Sequence, residues 1–348
     1  MAGEFSRARK VIAVREQLLP ERRGERQAWP MSRASYDPFA PGPHPVGVRA
    51  LDVRDSARDR VLPAEVRYPG AAGPHPLVVY SHHSGGHRRS ATFLTTHLAS
   101  HGYVVASLDH SEVAVPALTR RDNETDEHRA ARITAIVDSR VPDVRRLLDE
   151  LLVGGLAGAD VDVDGGRIGL VGHSFGGWTV LATTAVDLRV RAVVAHAPGG
   201  AAQPLPGVLR APLTLDWGRD VPTLFLAAEN DVPIPPVAVL DVFDRTPATK
   251  RMVTLRRADH QHFVDDVEGA HDAARAMSFP GEAAWMQAAM LPMTELCSGE
   301  RAHMFVRGLT LAHLDATLNA NEAARGFLAD DIADELAAHN LDAIVHRP

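Results

Sequence analysis

The chain has 348 residues, of which 45% are apolar, and a formal net charge of −7 at neutral pH. That length and apolar content allow one large α/β domain with a substantial core, and the acidic balance excludes nucleic acid as the expected partner. Cys297 is the only cysteine, which excludes an intrachain disulfide framework. No run approaches the roughly 20 apolar residues that a spanning helix needs, so no stable membrane insertion is expected.

Residues 1–40 read as a poorly ordered N-terminal extension. Arg22-Arg23-Gly24-Glu25-Arg26 is polar, and Pro38, Pro41, Pro43 and Pro45 punctuate the chain just beyond it. The first 30 residues lack the apolar run of a signal peptide, so a cytoplasmic protein is expected. Residues 41–348 read as one domain. Residues 46–53 and 64–68 predict an antiparallel lead-in, and Pro76-Leu77-Val78-Val79-Tyr80 a short buried strand. A helix is predicted over 92–101, a strand over 103–108, and a helix over 142–152 with Val144, Leu147, Leu148, Leu151 and Leu152 on one face. Residues 167–171, 190–195, 222–227 and 251–255 predict four more strands, and 302–318 and 322–337 two late helices. Such repeated alternation predicts a mostly parallel sheet with helices on both faces, its reactive groups on loops at the carboxyl ends of the strands.

Gly172-His173-Ser174-Phe175-Gly176 lies where the strand over 167–171 turns into a helix-like run. A G-x-S-x-G there lifts the serine hydroxyl out of the fold as a nucleophile elbow. A serine hydroxyl needs a histidine to take its proton, and that histidine needs a carboxylate to orient it and stabilise its charged form. Asp231, in the turn after the strand over 222–227, is the candidate acid, with Glu229 as its competitor. His260 is the candidate base, with His262 as its competitor. Phe175 and Ser84 are the candidate N–H donors of an oxyanion hole. Ser84 lies in the loop Ser81-His82-His83-Ser84-Gly85-Gly86.

The stretches Pro76–His82, Leu98–Ala106, Gly172–Gly177 and His260–Phe263 resemble α/β-hydrolases of the platelet-activating-factor acetylhydrolase and dienelactone-hydrolase type. The resemblance covers about residues 45–265. It implies the α/β-hydrolase fold with a small helical cap, and ester hydrolysis without a cofactor. In that family a glycine usually stands where this chain has His83. The acetylhydrolases place their acid after the strand that here ends at His196, so Asp231 is dienelactone-hydrolase-like. Residues 111–141 and 264–300 are the expected cap or pocket-shaping insertions.

His83, Trp178, Trp285 and Met286 are substrate-pocket candidates; for Trp178 packing in the core is the favoured alternative, and residues 276–293 can equally be an ordinary amphipathic helix. His82, His83, His87 and the His260-Gln261-His262 triplet raise a metal site as a rival, but no carboxylate is spaced with them as such a site requires, so none is expected. The expected activity is hydrolysis of a small-molecule carboxylic ester, with lactone, dienelactone or polyester hydrolysis on the same triad as an alternative. A binding protein that keeps the fold without turnover is the other alternative. Oligomeric state and the identity of the ester are not written in these residues.

Overall fold

A computed structural model of the chain describes residues 36–113, 117–155, 161–279, 281–329 and 332–346. Most of the expected N-terminal extension, residues 1–35, lies outside the described residues. Residues 36–40 are packed: Phe39 is buried against Phe327, and the Tyr36 hydroxyl donates to Asp315 at 2.9 Å.

The strands are β1 (Val46–Asp55), β2 (Arg60–Pro69), β3 (His75–Ser81), β4 (Val104–Leu108), β5 (Val163–His173), β6 (Val190–His196), β7 (Thr223–Ala228), β8 (Lys250–Leu255) and β9 (Ala343–His346). They form one sheet in the order β1-β2-β4-β3-β5-β6-β7-β8-β9. From β4 to β8 all neighbours are parallel, and the two edges close with antiparallel partners. Period-two alternation decides which face each side chain joins. In β3, Leu77 and Val79 enter one core and Val78 and Tyr80 the other.

Helix α1 (Thr92–Ser100) supplies Leu94 and Leu98 to the core that holds Val78. Helices α2 (Asp126–Val153), α3 (Phe175–Val186) and α4 (Pro236–Arg245) supply Leu147, Leu151, Val180, Leu181 and Val242 to the opposite core. Each fully buried leucine contributes on the order of 2 kcal/mol. The segment after β8 holds α5 (Val267–Ala276) and α6 (Trp285–Ala289), then the long buried α7 (Gly299–Leu318), which returns to the Val78 face. Two short helices, α8 (Glu322–Phe327) and α9 (Ile332–Ala338), lead into β9.

Three expectations need correction. The helix predicted over 142–152 begins at Asp126, so much of the expected polar insertion is helical. Thr125 Oγ1 caps it by accepting the His128 N–H at 3.2 Å, Asp126 and Glu127 occupy its first turn, and Pro142 sits inside it. Proline removes one backbone bond from a helix interior, and here the buried face of Val144, Leu147, Leu148 and Leu151 outweighs that loss. The helix predicted over 322–337 is divided into α8 and α9. Strand β9, with its short run Ala343-Ile344-Val345-His346, was not expected from the sequence.

Strand order reverses at β3: the chain moves from β3 to β4 on one side, then to β5 on the other. Carboxyl ends of strands at such a switch point open onto a crevice. The loop after β3 and the turn after β5 flank it.

Candidate active site

Ser174 stands between the last residue of β5 and the first of α3, with φ 58° and ψ −116°. A non-glycine residue held there costs of order 1–3 kcal/mol, so the surroundings must over-determine the turn. They do so with backbone. The Ser174 N–H donates to His196 O at 2.8 Å, and the Ser174 carbonyl accepts the Gly199 N–H at 3.0 Å. Two glycines permit the close approach: a Cβ on Gly172 would collide with the Gly176 carbonyl, and one on Gly176 with the carbonyl of Ser81 at the end of β3. The G-x-S-x-G spacing thus reflects the contact between the elbow and the loop after β3.

His260 opens a short 3-10 turn after β8 and reaches back to the elbow. Its Nε2 accepts from Ser174 Oγ at 2.9 Å, and its Nδ1 donates to Asp231 Oδ2 at 2.7 Å. Asp231 is buried in the turn after β7, and its other oxygen accepts the Ile234 N–H at 2.7 Å. Burial pushes the Asp231 carboxyl above its ordinary value. Burial pushes His260 down, but the charge and hydrogen bond of Asp231 outweigh it and leave the imidazole raised above 6.5. The competitors are engaged elsewhere. Glu229 accepts the Arg257 N–H at 2.9 Å. His262 donates to Asp259 at 2.8 Å and to Cys297 O at 3.0 Å, and these contacts overcome its burial and raise it to about 10. Asp259 also accepts from His271 at 2.5 Å, so a buried carboxylate with two imidazoles anchors the turn that carries His260.

The loop after β3 lies against the elbow. Ser84 Oγ accepts the Ala117 N–H at 2.7 Å. Among the described residues no protein acceptor takes the backbone N–H of Ser84 or Phe175. His83 is partly exposed, with its ring 5.3 Å from that of His173, which lies 4.7 Å from His260. Burial, with the His260 charge second, holds His83 down at about 3, so it is neutral at physiological pH. His82 bonds to His83 O and to the His110 N–H, and His87 Nδ1 accepts the Arg89 N–H.

Trp178 is buried on α3, 5.4 Å from the Phe175 ring, and donates to Pro212 O at 3.0 Å. With Ala117, Ile136 and Ala211 these two rings form a small apolar cluster beside the elbow. Trp285 donates to Pro206 O at 3.1 Å, and Met286 is buried. Among the described residues neither is hydrogen-bonded or ring-stacked to Ser174, His260 or Asp231.

Sequence reasoning missed the polar layer beneath this site. His110, just past the end of β4, bonds Ser81 Oγ at 3.0 Å and Asp143 Oδ2 at 3.0 Å, all three being buried. Arg140 of α2, fully buried, pairs with Glu112 and donates to Ser81 Oγ and His82 O at 3.3 and 2.8 Å. The one signal available was an arginine and an aspartate three apart on a helix beside the strands. A surface cavity of about 610 Å³ on the Glu112 side is lined by Arg58, Arg60, Arg121 and Arg132, and by none of Ser174, His260 or Asp231. Asp143 and Glu124 already pair with Arg58, Arg60 and Arg132, so the reactive groups and not the cavity mark the candidate site.

The chain is 24% identical over 243 residues to platelet-activating factor acetylhydrolase of Cavia porcellus, covering 59% of this chain and 52% of that protein. It is 24% identical over 236 residues to the Gallus gallus acetylhydrolase, covering 55% and 53%. It therefore spans about half the length of the curated relatives it matches. Among solved structures, a ferulic acid esterase from Streptomyces cinnamoneus superposes with a TM-score of 0.57 at 24% identity, covering 83% of this chain and 94% of that one. That likeness shows a shared α/β-hydrolase fold. With residues 62–290 matching the dienelactone hydrolase family, the chain belongs to that family.

Proposed function

We propose that the protein is a serine carboxylic-ester hydrolase that works through an acyl-enzyme. The observation that carries this reading is the relay from Asp231 through His260 to Ser174, at 2.7 and 2.9 Å, on a left-handed serine at the strand-to-helix turn. Ser174 Oγ attacks the ester carbonyl carbon as His260 Nε2 takes its proton, and Asp231 stabilises the imidazolium. The N–H groups of Phe175 and Ser84 hold the oxygen that becomes negative. The carbonyl re-forms as His260 gives its proton to the departing alcohol. Water, deprotonated by His260, then cleaves the acyl-enzyme. No step calls for a cofactor.

The substrate is a small-molecule ester whose acyl or alcohol group rests near Phe175, Trp178 and His83, with residues 111–141 and 264–300 shaping the pocket. Lactones are the second substrate class, favoured by the family: there the leaving alcohol stays tethered to the acyl group. Purified protein should hydrolyse p-nitrophenyl esters or lactones in a panel of graded acyl length, and should be labelled by a fluorophosphonate at one site. Ser174→Ala should abolish both. Full labelling of that variant discards Ser174 as the nucleophile, and a wild-type chain inert to both probes favours a binding role for the fold.

A further inference from the structure

We propose that Arg140 is a positioning residue for the oxyanion hole, its buried guanidinium holding both halves of the hole at once. This inference rests on the proposed ester hydrolysis at Ser174.

The guanidinium lies beneath the loop after β3. Its Nη1 donates to His82 O at 2.8 Å and its Nη2 to His83 O at 3.4 Å. The His83 carbonyl accepts twice more, from the Gly86 N–H at 3.1 Å and from His82 Nδ1 at 2.6 Å. His82 Nε2 takes the His110 N–H at 3.2 Å, so the proton of His82 sits on Nδ1 and can be donated. In a trans peptide the C=O and the following N–H point in opposite directions. Three donors that fix the His83 carbonyl therefore aim the Ser84 N–H the other way, clear of Arg140. The same argument applies to the His82 carbonyl and the His83 N–H.

Arg140 also touches the other half. Its guanidinium carbon lies 4.1 Å from the centre of the Phe175 ring, and Nη1 donates to Thr179 Oγ1 at 3.3 Å on α3. Phe175 carries the second proposed oxyanion donor. The two donors come from segments far apart in the chain, and their separation must be held to a few tenths of an ångström for both to meet one oxygen. One planar cation with donors in a fixed fork meets that need where a lysine cannot. Glu112 balances the charge, bonding Nε at 2.8 Å and pairing with Nη2. The role is thus orientation of peptide dipoles more than a net field.

The test compares wild type with Arg140→Lys and with the charge-free pair Arg140→Met/Glu112→Gln, which leaves no carboxylate buried alone. Each is assayed for kcat and KM on a p-nitrophenyl ester, and for inhibition by a trifluoromethyl ketone. Ser174 Oγ adds to that ketone carbon, its proton passes to His260, and the ketone oxygen becomes an oxyanion in the hole. The double variant should lose about 100-fold in kcat and a similar factor in ketone affinity. KM and the acid limb of the pH profile should stay close to wild type. Arg140→Lys should recover part of the loss. Wild-type kcat and ketone affinity in either variant, or a loss confined to KM, overturns the proposal. A wild-type chain that neither hydrolyses esters nor is labelled at Ser174 overturns the esterase reading instead.

Discussion

Two Ser-His-Asp arrangements with nearly equal spacings lie in this molecule. One is Ser174–His260–Asp231, at 2.9 and 2.7 Å; the other is Ser81–His110–Asp143, at 3.0 and 3.0 Å. Hydrogen-bond geometry does not tell them apart. Their settings do. Ser174 sits on a left-handed turn and is partly exposed, and the His260 side chain keeps 13% of its surface. Ser81 is the last residue of a strand with no exposed surface. The charges differ as well. Asp231 is the nearest charge to His260 and raises its pKa, so the imidazolium formed in a reaction is stabilised. His110 is pushed well below 6.5, first by burial and then by the neighbouring cations Arg140, Arg60 and Arg58. Asp143 is shared between His110, Arg58 and Arg60. No substrate reaches the fully buried Ser81, and the charged form of His110 is disfavoured by burial and by its cationic neighbours, so the inner set serves as a brace.

Substitutions can break this contrast. Ser174→Ala should lower turnover about 10⁶-fold, whereas Ser81→Ala should cost less than about 10-fold and leave fluorophosphonate labelling intact. Equal losses from the two would mean that the inner set takes part in the reaction. Asp231→Asn should reduce kcat about 10⁴-fold through the wrong histidine tautomer. Asp143→Asn should register in urea denaturation instead, with a loss of about 1–3 kcal/mol, because buried His110 and the partly exposed Arg58 and Arg60 lose the carboxylate they share.

The pH dependence sharpens the same contrast. His260 must be neutral to accept a proton, and its pKa is raised, so kcat/KM should rise with pH through a value above 6.5. An acid limb at or below 6.5 would mean that burial of His260 outweighs the charge and hydrogen bond of Asp231. The depressed histidines act on stability. His83 and His196, both lowered by burial to about 3, stay neutral in the folded chain while the unfolded chain takes up protons near 6.5. Their contribution is present above 6.5 and is lost as pH falls from there towards 3. Tm measured across that window should fall as the pH is lowered. The smallest effect belongs to Glu229→Gln, expected within about twofold of wild-type kcat, because that carboxylate faces Arg257 and not His260.

Much of this was legible in the sequence, for local reasons. The parallel strands are short runs of branched apolar residues, and β3 with its neighbours is buried on both faces as such runs require. The elbow carried its own signature, because the turn and its close backbone approach demand glycines two residues either side of Ser174. Chain order put an acid and a base after the serine but left Glu229 beside Asp231 and His262 beside His260; only the hydrogen bonds of the folded chain separate them. The long helix α2 was harder: Pro142 reads as a start, and only packing shows it to be interior. The division of α8 from α9, and the short edge strand β9, likewise depend on what they pack against.

The sequence by itself determined the alternation of strands and helices, the strained serine and the order of its partners, since each follows from periodicity, glycine placement or position after a strand. Tertiary structure alone decided which of two Ser-His-Asp sets meets solvent, and what lies beneath the loop after β3. Arg140 stands 57 residues from His83 along the chain and yet lies under its carbonyl. Nothing local marks an arginine as buried, because burial is a property of the neighbours that folding brings to it.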